Sequence, residues 1–576
     1  MKALRWTAIG AAFAVTLSGA MVLAGRYEGH TEKAAEGPKM RAGAATFFGG
    51  PGIEEFVAAV ELPDGRIVAF GNAWGPHFPA HPETVVLGKG WHQGLDPYGG
   101  SGKGRKAPRA EDPDAAGMIV CYAAGLRRIA RIVRFDWGVA SIATAAATAD
   151  GKGLILTGRC TEAFRPLAAK VSVARKLPSP GGKNTGPYEY VKGVQCTGDV
   201  YVLRMDAETG DLEWVWVLEG HRTPPEELWL ESHGVVTFES YGVTRISEDG
   251  RTLKKVTEKD LRGQVGLRAV DPVDGSFYVG GDRNTHTGRQ PWRQPYFYKY
   301  NADGEREWKI WEWPPKQCAC GGSGNGLCSD SSARAAAVAP NGDILVGGWS
   351  DGGNSVFTRQ PTDLGRGVGK AGLGMDSSGM KNANSLAYLM RIDPKSFEMK
   401  AWTLWVAYVP ETFEGARYRG APNFANIKRL AVLANGSVAF TGGAATGLIQ
   451  TPNAFYRHPS DGRKSGGWYV AVVTPELNHL LFSSYMPGCE NLAMGVTKSG
   501  LVVASRSSGD DGRENPTTRS PVTRDALQGE CQGDYDGHLV VLEMPGGAVP
   551  RAAESRRPMT DRRKALLRAF GQSLGR

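Results

Sequence analysis

FVAAVELPDGRIVAFG, at residues 56–71, contains the unit from which the fold can be predicted. Two apolar runs flank a tight turn that holds Asp64 and Gly65, and another glycine follows the second run. Asp-Gly and Asn-Gly pairs readily take the positive φ angles of tight hairpin turns. The unit therefore predicts two antiparallel strands.

The unit recurs along the chain, and recurrence at intervals of this length indicates a repeat architecture. Copies lie at residues 142–158, 267–281, 335–348, 429–443 and 492–505, with a degenerate copy at 228–240. A second hairpin follows several copies, at residues 199–218, 296–313 and 386–406. Because two hairpins make a four-stranded sheet, the sequence predicts an all-β fold, a single β-propeller of seven four-stranded blades.

The start of the chain resembles the end of a repeat. ATFFGGPGIEE (residues 45–55) has the make-up of LLFSSYMPGCE (residues 480–490). The last blade contains the hairpin at 492–505 and a strand at 537–544, and a polar tail then follows. We expect ATFF (residues 45–48) to supply its fourth strand, so that the N-terminal strand closes the ring and leaves no unpaired edge.

Residues 441–486 carry a family resemblance. TGGAATGLIQTPNAFYRH (441–458) and GGWYVAVVTPELNHLLFSSYM (466–486) resemble the bacterial β-propeller repeat called SBBP. In that repeat a Thr-Pro-x-Ala-Phe element follows a hairpin and precedes a strand pair. SPVTRDALQ (520–528) is a weaker copy of the element, and MPGCE (486–490) replaces the double glycine of the family's turn. The resemblance implies an exported or surface propeller and supplies no catalytic residues.

The two ends of the chain differ from its body. Lys2 and Arg5 precede an uncharged stretch, so residues 1–25 are predicted to be a signal peptide, with an uncleaved membrane anchor as the alternative. Residues 26–43 form a linker, 44–547 the propeller and 548–576 a basic tail in which a short amphipathic helix is expected. Either N-terminal reading predicts export to the periplasm, the cell surface or the exterior.

The formal net charge of +9 is concentrated at these ends, because residues 551–576 hold eight Arg or Lys against Glu554 and Asp561. The body is close to neutral. We therefore expect no nucleic-acid partner, and membrane contact only through the N-terminal segment or the basic tail.

Eight cysteines in an exported chain favour disulfides. We expect Cys160 to pair with Cys196, and Cys489 with Cys531. Within CACGGSGNGLC (318–328) we expect two of Cys318, Cys320 and Cys328 to pair, with Cys318 and Cys328 as the preferred pair. No metal site or cofactor is predicted. The Asp-rich stretches at 507–516 and 533–537 raise calcium as an option, but neither has the ligand spacing of an EF-hand loop.

Six insertions follow the second strands of predicted blades, at residues 72–117, 159–198, 282–295, 349–385, 444–465 and 506–534. Together with the connection at 314–332 they are expected on one face, opposite the tight hairpin turns. This face is the predicted binding site, since loops on a rigid scaffold often carry function. The alternative is that long insertions are tolerated there because loop length costs little.

The candidate ligand-binding residues are aromatic or basic side chains of these insertions: Trp74, His77, Trp91, His92, Arg283, Trp292 and Trp349. The tryptophans would stack on sugar rings or grip a peptide, whereas packing onto the propeller is the structural alternative. The predicted function is a binding or interaction module, with a glycan or an envelope protein as partner. A hydrolase or lyase with its site at the mouth of the central channel is the alternative, although no GxSxG, HExxH or P-loop motif is present. A purely structural envelope component is a third option.

Overall fold

The computed structural model describes residues 40–544. It leaves out 51, 75–77, 90–114, 169, 172, 178–198, 219–227, 232–233, 240–241, 258–263, 286–291, 312–329, 352–358, 370–371, 374–385, 410–420, 424, 446, 456–466 and 509–519. The described part is almost entirely strand, with helices only at Ala124–Leu126, Glu162–Phe164 and Arg165–Ala168. None of these helices is long and apolar enough to span a membrane.

The described strands form seven sheets of four or five strands, numbered here in chain order, and two sheets of two strands. The first sheet contains β2 (Ile53–Glu61), β3 (Ile67–Trp74), β4 (Thr84–Leu87), β5 (Ala116–Tyr122) and β6 (Ile129–Phe135). The second contains β7 (Thr144–Ala147), β8 (Gly153–Cys160), β9 (Val173–Leu177), β10 (Asp199–Asp206) and β11 (Leu212–Leu218). The third contains β12 (Leu228–Glu231), β13 (Gly234–Glu239), β14 (Gly242–Ser247) and β15 (Leu253–Thr257).

The fourth sheet contains β16 (Gln264–Val270), β17 (Phe277–Thr285), β18 (Trp292–Tyr300) and β19 (Arg306–Ile310). The fifth contains β20 (Ser331–Val338), β21 (Ile344–Ser350), β24 (Leu386–Ile392) and β25 (Met399–Trp405), and β22 (Arg359–Gln360) pairs separately with β23 (Asp363–Gly367). After a pair made by β26 (Ala407–Val409) and β27 (Ala421–Asn423), the sixth contains β28 (Arg429–Val432), β29 (Val438–Gly443), β30 (Trp468–Val473) and β31 (Leu480–Tyr485).

The seventh sheet joins the two ends of the described chain. It contains β32 (Cys489–Val496), β33 (Gly500–Ser507) and β34 (Asp536–Glu543), followed in space by β1 (Arg41–Phe48). β1 runs antiparallel to β34, with Ala45 opposite Val540. The first described strand is therefore the outer strand of the sheet that contains the last three described strands.

Each predicted first hairpin is present, because the local turn chemistry determines it. Asp64 accepts a hydrogen bond from the Arg66 amide, and Gly65 takes a φ of +88°. Gly151 takes +70° in the second sheet, and a Cβ atom there would lie 2.2 Å from Cδ of Pro63 in the first sheet. The first-hairpin turns of neighbouring sheets therefore pack closely as well as turning the chain.

Strands in the middle of the sheets are buried on both faces. β3, β5 and β24 are buried along their whole length, which explains why they read as continuous apolar runs. Aromatic rings join neighbouring sheets: Trp405 of the fifth sheet meets Phe440 of the sixth edge-on, with ring centroids 5.1 Å apart. First strands also meet in order, β2 with β7, β7 with β12, β12 with β16, β16 with β20, β20 with β28, β28 with β32, and β32 with β2.

All six insertions join the second and third strands of their sheets. Two of them add a strand that the sequence did not predict: β4 pairs parallel with β6, and β9 pairs parallel with β11. The four-stranded prediction is therefore wrong for the first and second sheets, where the insertion returns along the outer strand. This extra strand covers an edge that would otherwise expose unpaired backbone groups.

In the sixth and seventh sheets, a threonine of the insertion hydrogen-bonds to the outer strand and covers its edge. The Thr451 amide donates to the Ser483 carbonyl of β31 (3.2 Å), and the Ser483 amide donates back to Thr451 Oγ1 (3.1 Å). In the seventh sheet Thr523 makes the same two bonds with Ala45 of β1 (3.2 and 3.1 Å). β1 thus occupies in the seventh sheet the position that β31 occupies in the sixth.

Candidate functional site

Ionisable side chains gather at the seam, by which we mean the boundary between the seventh and first sheets. β2 packs against β32, β33 and β34 there, and its Glu54 amide donates to the Tyr535 carbonyl (2.8 Å). Cys489 and Asp536 are both opposite Ser507 in the pairing of the seventh sheet. The first residues of β32, β34 and β2 therefore lie together at one end of the strands. The insertions leave the sheets at this same end.

A cysteine and a histidine are paired on the other face of the seventh sheet, where Cys489 packs with residues of the sixth sheet. Cys489 Sγ lies 3.4 Å from Nδ1 of His538, and both residues are buried. His538 Nε2 lies 2.7 Å from the Pro521 carbonyl oxygen. Because a carbonyl oxygen can only accept, Nε2 carries a proton and Nδ1 faces the thiol. This arrangement orients the imidazole toward the sulfur, as nucleophilic thiol chemistry requires.

The pair changes the acidity of both groups. Burial alone would raise the pKa of the Cys489 thiol, but the charge of His538 and hydrogen bonds from His538, Ser505 and Ser520 hold it below its ordinary value. Burial opposes a charged imidazole at His538, yet Cys489 and the Pro521 carbonyl raise the pKa of that ring. Both directions favour a thiolate facing an imidazolium.

A second thiol lies close by on the insertion between β33 and β34. Cys531 Sγ lies 3.4 Å from the carbonyl oxygen of Ser507, the residue opposite Cys489 in the sheet. Burial, with the charge of Asp536, raises the pKa of Cys531 to about 12. The two thiols thus differ in character, since the surroundings favour the thiolate at Cys489 and the neutral thiol at Cys531.

Two carboxyl groups flank Gly49 at the same edge. A Cβ atom on Gly49 would lie 2.4 Å from Cγ of Asp536 and 2.7 Å from Oε2 of Glu54, so glycine is needed there. Glu54 is buried and accepts a hydrogen bond from the Gly50 amide (3.1 Å). Burial, with the charge of Asp536, raises the pKa of Glu54 to about 8, and burial also raises that of Asp536. Glu54 is therefore largely protonated at neutral pH.

An arginine connects the seam to its exposed rim. Arg506 donates to Glu490 through Nη2 (2.6 Å) and Nε (3.1 Å), and its guanidinium carbon lies 5.1 Å from the centre of the Tyr535 ring. Its Nη1 atom lies 4.0 Å from Glu55 Oε2. Glu490 is partly exposed, whereas Glu55 is buried. Charge is thus continuous from the surface into the seam.

The residues predicted to bind a ligand are distributed differently. Trp74 ends β3 with 1% of its surface exposed, so it packs inside the described structure, and its contact with a ligand stays a prediction. Arg283 lies over the Tyr296 ring (4.8 Å to the centroid) and donates to the Tyr298 hydroxyl. Trp349 is half-buried beneath Arg293, in the neighbouring sheet. Among the predicted residues with described side chains, Arg283 and Trp349 are partly exposed and therefore more accessible than Trp74.

Several predicted residues are not covered by the structure. His77, Trp91 and His92 lie outside the described residues, and Trp292 is described only as a residue of β18. Cys196, Cys318 and Cys328 also lie outside them.

The cysteine predictions need correction. Cys160, Cys489 and Cys531 are free thiols. The expected Cys489–Cys531 disulfide is not formed, because Cys489 faces His538 and Ser520 while Cys531 faces backbone carbonyls. Cys160 is buried with its sulfur 3.4 Å from the Asp199 carbonyl oxygen. The expected Cys160–Cys196 bond is therefore not formed either.

Neither His538 nor Glu54 was predicted from the sequence. His538 is a lone polar ring in the apolar strand GHLVVLEM (537–544), and Glu54 stands in the loop-like GGPGIEE (49–55). A polar residue inside an apolar strand is a signal worth following, but its partner Cys489 is 49 positions away in sequence. Only the pairing of both strands with β33 brings them together.

Comparisons with known proteins add little to this geometry. No family model matches the chain, and no curated protein matches it. Similar solved structures include the Neurospora crassa Pan2 WD40 domain, at 10% identity over 71% of this chain and 90% of that one, with a TM-score of 0.30. A protein of unknown function from Dyadobacter fermentans DSM 18053 matches at 13% identity over 88% and 100% (TM-score 0.34), and a mitotic checkpoint complex at 8% over 68% and 81% (TM-score 0.33). The strand pairing described above carries the fold assignment, and these likenesses do not extend it.

Proposed function

We propose that the seven sheets are the blades of one closed β-propeller that acts as an exported binding or interaction module. The contacts between first strands support closure, because they pass from β2 through all seven sheets and return from β32 to β2. The bonds that Thr523 makes with Ala45 support it too, since they repeat those between Thr451 and Ser483. A rigid ring with long insertions at one edge is a common scaffold for recognition.

The observation that carries the binding role is the position of the insertions. All six leave the edge where second strands end, whereas the first-hairpin turns at the opposite edge are short. A cleft deep enough to hold a ligand is therefore expected among the insertions. A glycan or an envelope protein is the proposed partner. Arg283 and Trp349 lie near the edge from which the insertions leave, and the predicted Trp91, His77, His92 and Trp292 belong to insertions in the sequence.

Binding is tested by screening the purified protein against a glycan array and against separated envelope proteins. We expect a captured ligand to be lost when Trp91 and Trp292 are both replaced by Ala. The matched control is Val273→Ala, since Val273 is 49% exposed in the hairpin turn at the opposite edge. Capture that survives the double substitution but not the control would move the site to the turn edge, and no specific capture would contradict the binding role.

Export and the resemblance to the SBBP repeat belong to the same proposal. The N-terminal charge pattern supports export, and the sequence Thr-Pro-Asn-Ala-Phe at 451–455 supports the resemblance. Cell fractionation followed by N-terminal sequencing of the mature chain tests export. A cytoplasmic protein that keeps Met1 would contradict it.

A hydrolase or lyase is a second candidate, and the seam favours it. Glu54 is held in its protonated form, as a general acid must be, and Asp536 lies on the other side of Gly49. Because Glu54 is only 1% exposed, a substrate would reach it only after the seam opens. Assays with chromogenic glycosides, esters and uronides would reveal an activity. We expect any such activity to fall at least about a hundredfold in Glu54→Gln if Glu54 supplies the proton. An activity unchanged in this variant would exclude the seam carboxyls as its source.

A further inference from the structure

We propose that Cys489 is a peroxide-reactive cysteine, activated by His538, and that Cys531 resolves its oxidised form as a disulfide. The proposal concerns the face of the seventh sheet that packs against the sixth, and it does not depend on the binding or enzyme roles. Three features of the described residues carry it: the orientation of the imidazole, the hydroxyl groups around the sulfur, and the place of the second thiol.

The imidazole is held in the orientation that activation requires. The Pro521 carbonyl fixes the Nε2 proton, and Nδ1 therefore faces Cys489 Sγ at 3.4 Å. The Phe47 ring packs against the imidazole, with centroids 4.9 Å apart, and limits its movement. A histidine so placed accepts the thiol proton and keeps it within the pair, as in Cys–His nucleophiles on unrelated folds.

Hydroxyl groups surround Cys489. Its thiol donates to Ser520 Oγ (3.8 Å), and Ser520 contacts Ser507 Oγ and donates its own proton to the Pro487 carbonyl oxygen (2.8 Å). Cys160 provides the contrast, because its buried sulfur lies near the Asp199 carbonyl oxygen and its pKa is raised by burial and by the Asp199 charge. Among the described residues, Cys489 is therefore activated, whereas Cys160 is inert at comparable solvent exclusion.

Burial selects a small oxidant. Cys489 is 4% exposed and His538 is fully buried, so a bulky acyl or disulfide substrate cannot approach the sulfur without opening the packing around it. A hydroperoxide is small enough to enter after modest local motion, and the thiolate is the form that it oxidises. We therefore assign hydrogen peroxide or a small organic hydroperoxide as the co-substrate.

The chemistry balances in two steps. The Cys489 thiolate attacks the terminal oxygen of ROOH, so that an S–O bond forms and the O–O bond breaks. The departing RO⁻ takes the proton of the His538 imidazolium and leaves as ROH. Sulfur is oxidised by two electrons to sulfenic acid, and the peroxide is reduced by two. The Cys531 sulfur then attacks the sulfenic sulfur, and its proton leaves with the hydroxide as water.

Cys531 is placed to carry out the second step. Its sulfur hydrogen-bonds the Ser507 carbonyl, and Ser507 is the cross-strand partner of Cys489. It lies on the returning end of the insertion, between Gln528 and Asp536, and is partly exposed. A shift of this segment would bring the two sulfurs together, and the resulting bond would tie the insertion to the start of β32.

The test treats the reduced full-length protein with hydrogen peroxide and follows each cysteine by peptide mass mapping. We expect Cys489 to oxidise at least about tenfold faster than Cys160 at pH 7, because only the first is favoured as a thiolate. Wild-type protein should yield a Cys489–Cys531 disulfide. Cys531→Ser should instead accumulate a sulfenic acid at Cys489, which dimedone traps when the oxidised protein is unfolded in its presence.

Further variants separate activation from stability. His538→Gln should slow oxidation of Cys489 about tenfold while leaving Cys160 unchanged, and its circular dichroism and unfolding midpoint report whether it has folded. If this variant does not fold, the wild-type comparison of Cys489 with Cys160 and the dimedone trapping still decide the matter. Equal rates at the two cysteines would overturn the proposal. Overoxidation of Cys489 to sulfinic acid in wild type, with Cys531 still a thiol, would overturn the resolving role.

Discussion

Thr523 and Ala45 hold each other through a reciprocal pair of hydrogen bonds, although they are 478 positions apart. The Ala45 amide donates to Thr523 Oγ1 (3.1 Å), and the Thr523 amide donates to the Ala45 carbonyl oxygen (3.2 Å). Thr451 and Ser483 make the same pair in the sixth sheet, between residues 32 positions apart. An interaction that is local in the sixth sheet is therefore reproduced in the seventh between residues from opposite ends of the described residues.

Thr523→Val should destabilise the protein by about 1–2 kcal/mol, because the buried Ala45 amide loses its acceptor while side-chain volume is kept. Thr451→Val is the matched control and should cost about the same. Urea unfolding of the two variants measures both. A loss in Thr451→Val with none in Thr523→Val would show that the outer strand of the seventh sheet is held differently.

Deletion of residues 43–50 tests the closure itself. It removes most of β1 and exposes the edge of β34, so we expect the free energy of unfolding to fall on the order of several kcal/mol. The thermal midpoint should fall accordingly, and the exposed edge should promote association. An unchanged midpoint would mean that β1 contributes nothing to the seventh sheet.

Glu54 should give the protein a pH-dependent stability. Its folded pKa of about 8 lies above the ordinary value of 4.5, with burial as the largest cause, so the folded state binds the proton more tightly. The stabilisation is complete below pH 4.5 and is lost as the pH rises through 8. Urea unfolding from pH 5 to 9 should show this decline, and Glu54→Gln should reduce it. The partly exposed Glu490→Gln should leave it in place, and a decline that persists unchanged in Glu54→Gln would assign it to other groups.

Arg391 should matter more than a surface arginine. It pairs with the buried carboxylate of Asp343 (3.3 Å) and donates to the Gly436 carbonyl in the next sheet (3.1 Å). Arg391→Ala should lower the free energy of unfolding by about 3 kcal/mol, because it removes both of these bonds from buried groups. Lys400 also contacts Asp343, but it does not replace either bond. Arg165→Ala, which removes an exposed pair with Glu162, should change stability by less than about 1 kcal/mol. Similar losses in both variants would contradict this difference.

Gly151→Ala and Gly65→Ala form a matched pair in the same kind of turn. Both glycines have positive φ, so each substitution should cost about 1 kcal/mol in backbone strain. Gly151→Ala should cost clearly more, because its methyl group would overlap Pro63 at 2.2 Å, whereas the nearest atom to a methyl group at Gly65 is 3.7 Å away. Equal thermal midpoints would show that the two turns separate easily.

The parts of the fold that follow from local chemistry could be predicted from the sequence. Turns such as Asp64-Gly65 define each hairpin within a few residues, and the apolar runs beside them define the strands. β4 and β9 could not be predicted in this way, because short strands of mixed polarity inside long insertions gain their order from the outer strand that they join.

The site was less accessible to prediction for a related reason. Aromatic residues were favoured as ligand contacts because of their type, yet Trp74 packs inside the first sheet. The pairing of Cys489 with His538 depends on the register of three strands, and no spacing in the sequence records that register. The type of a residue can suggest that it belongs to a site. Here the site forms only because strands that are distant in the sequence pair with one another.

The position of β1 also imposes an order on biosynthesis. β1 is translated before every other strand of the seven sheets, yet its partner β34 is translated last among them. At roughly 5–20 residues per second, β1 stays without its partner for on the order of half a minute or longer. During that interval its apolar residues, among them Phe47 and Phe48, are open to pairing with other nascent chains. Faster synthesis shortens this interval and should therefore raise the yield of soluble protein. A lower expression temperature slows synthesis, lengthens the interval and should lower the yield.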